Sequence, residues 1–262
     1  MAGEAIFVER SGDGRIAHVV LNRPEKLNAL DLAAWRRLAE VMRELDRDDA
    51  LRCVIVRGVD GRAFAAGADI SAFERERADA EQARIYAHAV HAAMESVSRC
   101  RHPVVAAIRG VCVGGGLELA CACDLRIAGD TARFGIPIKR LGLTLAYDEL
   151  RMLLSLVGPA HAAEILLEGR IFGAERAKEM GLVNRVVPDA EVMAEAEAAA
   201  RRIAEGAPLV ARWHKKFIRR LLDPTPLTPA EIEEGFAALD TEDYRRGVRA
   251  FLSKTEPEFV GA

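Results

Sequence analysis

The chain has 262 residues, half of them apolar, with 37 Lys and Arg against 40 Asp and Glu and a formal net charge of -3. That length suits one large domain, or one domain with an appendage, and the balanced charge excludes a general nucleic-acid binder. The N-terminal residues carry acids where a signal peptide would be basic and then apolar, and Arg109 and Glu118 interrupt the best apolar run short of a membrane span. A soluble, cytoplasmic protein with no membrane or nucleic-acid partner is expected.

The first elements are two strands, Ala5–Glu9 and Arg15–Leu21, joined by Ser11-Gly12-Asp13-Gly14, which is hairpin chemistry. Asn28 or Asp31 can then cap a helix with Trp35, Leu38, Met42 and Leu45 as its apolar stripe. Arg36, Arg37, Glu40, Arg43 and Glu44 cover the opposite face. Cys53–Val56 is a continuously apolar strand of the kind buried on both faces.

The pattern repeats with a charged helix over Ala80–Arg99, a strand at Val104–Ile108, a short helix after three glycines, and a strand at Leu125–Ala128. Strands alternating with helices predict an α/β architecture with parallel pairing. Beyond Pro188 the strands stop. Ala190–Glu205, Leu209–Leu222, Pro229–Leu239 and Asp243–Ser253 all read as helices, so the tail is a helical appendage.

Five cysteines (Cys53, Cys100, Cys112, Cys121, Cys123) form no CxxC pair and read as small buried hydrophobes. His88 and His91 share a helix face, but no carboxylate cluster completes a ligand set around them. No metal site is expected.

The chemistry gathers in Gly110–Leu125, which reads GVCVGGGLELACACDL. It is not a phosphate loop, since GxxxxGK[ST] is absent, nor a dinucleotide turn, since Leu119 stands where the last glycine of GxGxxG belongs. What remains is a tight turn followed at once by a helix whose first amides are free to attract negative charge. If that charge develops only during reaction, the turn is an oxyanion hole, with about 2.7–4 kcal/mol lost per donor removed. Glu118 is the lone acid here. It is either a first-turn complement to the helix dipole or a general acid/base. Upstream, AFAAGADISAF (Ala63–Phe73) offers a second close approach of backbone at Gly67, with Asp69 able to bond local amides.

AFAAGADI, then GGGLELACACDLRIAG, ARFGIP and GLVNRVVP, in that order and spacing, resemble the enoyl-CoA hydratase/isomerase (crotonase) superfamily. LNRPEKLNAL near the start and DTEDYRRGVRAFLSK near the end extend the likeness over nearly the whole chain. The resemblance implies a spiral of ββα repeats over residues 1–195 and a C-terminal helical trimerisation region over 196–262, giving a homotrimer or a dimer of trimers. It implies acyl-CoA thioester substrates, with coenzyme A entering as part of the substrate and no other cofactor.

It also implies site residues. The amides of Ala68 and Gly115 match the family's oxyanion donors, within binding segments that include Ala66, Gly67, Asp69, Ile70 and Gly114. Lys26 and Leu27 fall in a loop that lies along coenzyme A in relatives, and Lys254 matches a basic residue that reaches its phosphate. Glu118 matches the first catalytic glutamate of hydratases. The second should follow Pro137, where this chain has Ile138, expected to face the acyl β-carbon. Asp148 or Glu149 can replace it from nearby, or both can be first-turn charges favoured by a helix dipole. The reading is an enoyl-CoA hydratase or isomerase. The alternatives are an acyl-CoA decarboxylase or thioesterase relying on one acid or Tyr147, and an acyl-CoA-binding protein with little catalysis.

Overall fold

A computed structural model describes residues 3–262. Strands β1 (Ile6–Arg10) and β2 (Ile16–Leu21) pair antiparallel as the hairpin chemistry predicts. Helix α1 (Leu32–Asp46) is capped by Asp31, whose carboxylate accepts from Ala34 N, and it buries the expected stripe from Trp35 to Leu45. Asn28, the other candidate cap, instead takes a left-handed backbone. Its side-chain amide binds Arg23 N and Ala63 O, lacing two loops together.

The middle of the chain runs β3 (Cys53–Gly58), β4 (Ala63–Ala65), the single-turn α2 (Phe73–Glu76), α3 (Ala80–Arg99), β5 (Val104–Ile108), β6 (Val111–Val113), α4 (Gly115–Ala122), β7 (Leu125–Gly129), β8 (Arg133–Gly135) and α5 (Tyr147–Ala163). After it come β9 (Phe172–Gly173), α6 (Ala174–Glu179) and β10 (Arg185–Val187). Two sheets result, ordered β1-β2-β3-β5-β7-β10 and β4-β6-β8-β9. In each of three successive turns the first strand joins the larger sheet, the second joins the smaller one, and helix follows. That is the expected spiral of ββα repeats. The second strands are three residues long, too short to carry a period of two, and the sequence shows them only as parts of motifs.

The larger sheet is covered on both faces, which explains its unbroken apolar strands. Trp35, Leu38, Met42, Met94 and Leu117 pack on one side. On the other, Ile55, Val105 and Ile127 meet Val192, Ala196, Ala199 and Ala200 of α7 (Val192–Ala204). The expected boundary at 195/196 falls inside this helix, whose buried face belongs to the core. Helix α8 (Pro208–Arg220) is tied back by Lys215, which bonds Asp124 at 2.7 Å and His102 O at 2.9 Å. The helix expected over 229–239 is two pieces, α9 (Pro229–Glu234) and a 3-10 turn at Ala237–Asp240, before α10 (Glu242–Ser253).

One expectation needs correction. By length and composition Tyr147–Glu168 does pass for a membrane span. Gly158, at φ 69° and ψ 173°, breaks it into two segments ahead of Pro159, so it is not one continuous apolar rod. All five cysteines are buried, as expected of small core hydrophobes.

Candidate active site

The two glycine-bearing loops meet. Gly67 has φ +94°, and a side-chain carbon there would stand 2.9 Å from Val113 O and 3.0 Å from Gly115 N. Gly114, at φ 51° and ψ -129°, turns the chain from β6 into α4 in a conformation that favours glycine. A carbon built on Gly115 would lie 3.6 Å from Ala68 N, so these two amides are neighbours.

Neither amide has an acceptor among the described residues. Gly115 opens α4, where the first N–H groups have no intrahelical partner. Ala68 sits in an isolated parallel bridge to Leu30. Leu30 N donates to Gly67 O at 2.8 Å and Asp69 N donates to Leu30 O at 2.9 Å, which leaves the Ala68 N–H out of the pairing.

A buried scaffold holds this pair of loops, and the sequence did not announce it. The Trp35 ring lies directly against Gly115, 3.1 Å from where a side-chain carbon would begin. Trp35 Nε1 donates to the Tyr86 hydroxyl at 2.9 Å, and that hydroxyl donates to Leu30 O at 3.2 Å. One chain of contacts therefore braces both amide-bearing loops. Trp35 reads in sequence only as part of an apolar stripe, although a buried indole or phenol needs a polar partner.

Glu118 lies in the first turn of α4, its N–H bonded to Gly114 O at 3.0 Å, among the buried Leu117, Leu119 and Ala120. Burial pushes its carboxyl up to about 7. The negative charge of Glu149 adds to the rise, and the Arg77 guanidinium opposes it. Asp148 and Glu149 are adjacent on α5 but go opposite ways. Glu149 is 6% exposed, and its Oε2 is buried without a partner. Asp148 is exposed and lies 3.5 Å from His91 Nδ1 on α3. Tyr147 is 88% exposed and part of no buried network. Ile138 begins a 3-10 turn and packs, half-buried, against the core.

The upstream loop is braced by charge. Asp69 accepts from Lys26 Nζ at 2.7 Å, Arg23 Nη2 at 3.0 Å and Ser71 Oγ at 2.6 Å. Burial works to raise its carboxyl, but bonds from Lys26, Ser71 and Arg23 outweigh it and hold the group at about 2. Asp69 and Lys26 are thus engaged with each other. Leu27 O accepts from Ala66 N at 2.9 Å, and Ile70 lies exposed at the edge of the loop. Lys254 is exposed at the C-terminal end of α10.

Residues 11–262 match the family model described as enoyl-CoA hydratase/isomerase. The chain belongs to that family. It is 36% identical to a probable enoyl-CoA hydratase from Mycobacterium bovis, over 99% of each chain. A short-chain-enoyl-CoA hydratase from Clostridium acetobutylicum is 34% identical over 94% of each. Among solved structures, an enoyl-CoA hydratase/carnithine racemase from Magnetospirillum magneticum superposes with a TM-score of 0.96 at 49% identity, covering 99% of this chain and 97% of that one. For an enoyl-CoA hydratase/isomerase, the geometry offers two acceptor-free amides beside two carboxyls, one of which holds its proton near neutral pH. Such a set can receive negative charge on an oxygen while one group gives a proton and another takes one.

Proposed function

We propose that the enzyme hydrates enoyl-CoA thioesters with Glu118 and a displaced second acid, Glu149. The observation that carries this reading is the division between the α5 acids. Glu149 is buried and acts electrostatically on Glu118, while Asp148 is turned to solvent and His91.

In this reading the Ala68 and Gly115 amides hold the thioester oxygen. Glu149 takes a proton from water as the water oxygen bonds to Cβ, and the Cα=Cβ electron pair shifts toward the carbonyl carbon, placing the enolate charge on the thioester oxygen. The enolate collapses as protonated Glu118 delivers a proton to Cα. Exchange of one proton with solvent resets the two carboxyls. Raising the proton affinity of one acid beside a second is how paired carboxyls take opposite roles. No step asks for a metal or an organic cofactor of the enzyme's own. The exposed Tyr147 does not favour the one-acid decarboxylase or thioesterase alternatives. We also read the protein as a soluble cytoplasmic enzyme that assembles through its C-terminal helices.

The test is hydration of crotonyl-CoA and longer enoyl-CoAs by Glu118→Gln, Glu149→Gln and Asp148→Asn. Both glutamate variants are expected to lose at least about a hundredfold in kcat, the low end for a general acid or base, with Asp148→Asn near wild type. An active Glu149→Gln enzyme would remove Glu149 from the mechanism.

A further inference from the structure

Arg77 follows helix α2, its N–H closing the turn onto Phe73 O. Its guanidinium lies 4.1 Å from the Phe73 ring centroid and 4.0 Å from that of Tyr86, and those rings meet edge to face. Its neighbours are already paired. Arg75 bonds Glu76 at 2.9 Å, and Glu76 also accepts from Leu32 N. The Tyr86 hydroxyl stands beside the guanidinium but is engaged by Trp35 and Leu30. Arg77 Nε is buried without a partner, and no carboxylate forms an ion pair with Arg77 among the described residues.

Arg77 is half-buried, with its Nε edge closed off from water. A guanidinium edge held this way without a counter-charge is costly, and aromatic faces offset only part of that cost. Stacking also fixes the donor fork in place, which prepares it for a planar anion. Arg77 leans on Tyr86, Tyr86 bonds Trp35, and Trp35 lies under Gly115, so the unpaired charge belongs to the wall behind the two amides. It is also close enough to Glu118 to draw that carboxyl's proton affinity down.

We infer that Arg77 is a specificity-determining residue that receives a carboxylate carried by the acyl chain beyond its reacting carbons, so that the preferred substrate is a carboxyl-ended acyl-CoA. This rests on the acyl-CoA reading of the site. Without Arg77, the carboxylate base at Glu149 would repel such a chain. With it, the anion gains a fixed partner and the guanidinium gains its missing acceptor.

The experiment measures binding by calorimetry for the wild type, Arg77→Met and Arg77→Lys. The probes are saturated esters that undergo no hydration: glutaryl-CoA and adipyl-CoA against pentanoyl-CoA and hexanoyl-CoA. The wild type is expected to bind a carboxyl-ended ester at least about tenfold more tightly than its methyl-ended counterpart, the scale of one charge-assisted contact. Arg77→Met should reverse that preference, and Arg77→Lys should keep part of it. Circular dichroism and thermal unfolding confirm that each variant folds. Equal or tighter binding of methyl-ended esters by the wild type overturns the inference. So does an Arg77→Met enzyme whose preference is unchanged while the pH profile of turnover shifts, since Arg77 is then only a charge partner of Glu118. The carboxyl preference found without hydration of any matching enoyl ester supports the role of Arg77 and counts against the hydratase reading instead.

Discussion

Glu118 carries its chemistry in its proton. Burial first, then the charge of Glu149, raises its carboxyl to about 7, against an ordinary glutamate value of 4.5. A group raised in the folded state binds its proton more tightly there than in the unfolded chain. Its stabilising contribution is therefore full below about 4.5 and is lost as pH climbs through about 7. Thermal unfolding of the wild type should accordingly weaken between pH 5 and pH 8 by more than that of Glu118→Gln, with the variant the more stable of the two at pH 8. Parallel pH dependences in the two proteins would show that Glu118 ionises as an ordinary surface acid. The same proton predicts a hydration rate that declines above about pH 7, because the donor to Cα is then ionised.

At the scale of elements, the site is a junction between the β4–α2 loop and the β6–α4 turn. Gly67 has to stay a glycine for two reasons, its φ of +94° and the 3.0 Å approach of a side-chain carbon to Gly115 N. Gly67→Ala should therefore push the two amides apart and cost about a hundredfold in kcat, the range for one lost oxyanion donor. Gly14→Ala is the control. Gly14 also has a positive φ, 72°, but faces open space, so its replacement should cost some stability and leave turnover unchanged. Near-normal rates in Gly67→Ala, measured against crotonyl-CoA, would mean that the amide pair does not hold the reacting oxygen.

For the whole molecule, the C-terminal helices present more apolar surface than one chain covers. Phe251 is 84% exposed, and Phe236, Ile218, Leu221 and Leu252 are exposed on the same C-terminal segment. Val210, Tyr244, Val248 and Phe259 line an apolar groove on the same face. Exposed apolar patches of this kind mark association sites. Light scattering is expected to find a trimer or a dimer of trimers, and Phe251→Asp should shift it toward monomer. A well-folded wild-type monomer at micromolar concentration would rule out assembly through this face.

The sequence alone determined what depends on neighbours along the chain. The β1–β2 hairpin, a capped helix beginning near Asn28 or Asp31, the apolar strands and the glycine turn ahead of Glu118 follow from local chemistry and short periods, and so they were legible; the structure chose Asp31 as the cap. The tertiary structure decided what depends on direction and on partners from afar. Asp148 and Glu149 are adjacent and equally acidic, but on a helix successive residues point about 100° apart, so only one can face Glu118. The short strands of the second sheet exist because β4, β6 and β8 lie side by side in space, a fact no three-residue window contains. Lys26 and Asp69 read as ligand-binding candidates. The fold pairs them with each other across 43 positions, because a nearly buried carboxylate needs a counter-charge. Arg77 had no signature at all. Its meaning comes from its stacking on Phe73 and Tyr86 and from the lack of an ion-paired carboxylate among the described residues, and only the packed molecule sets both conditions.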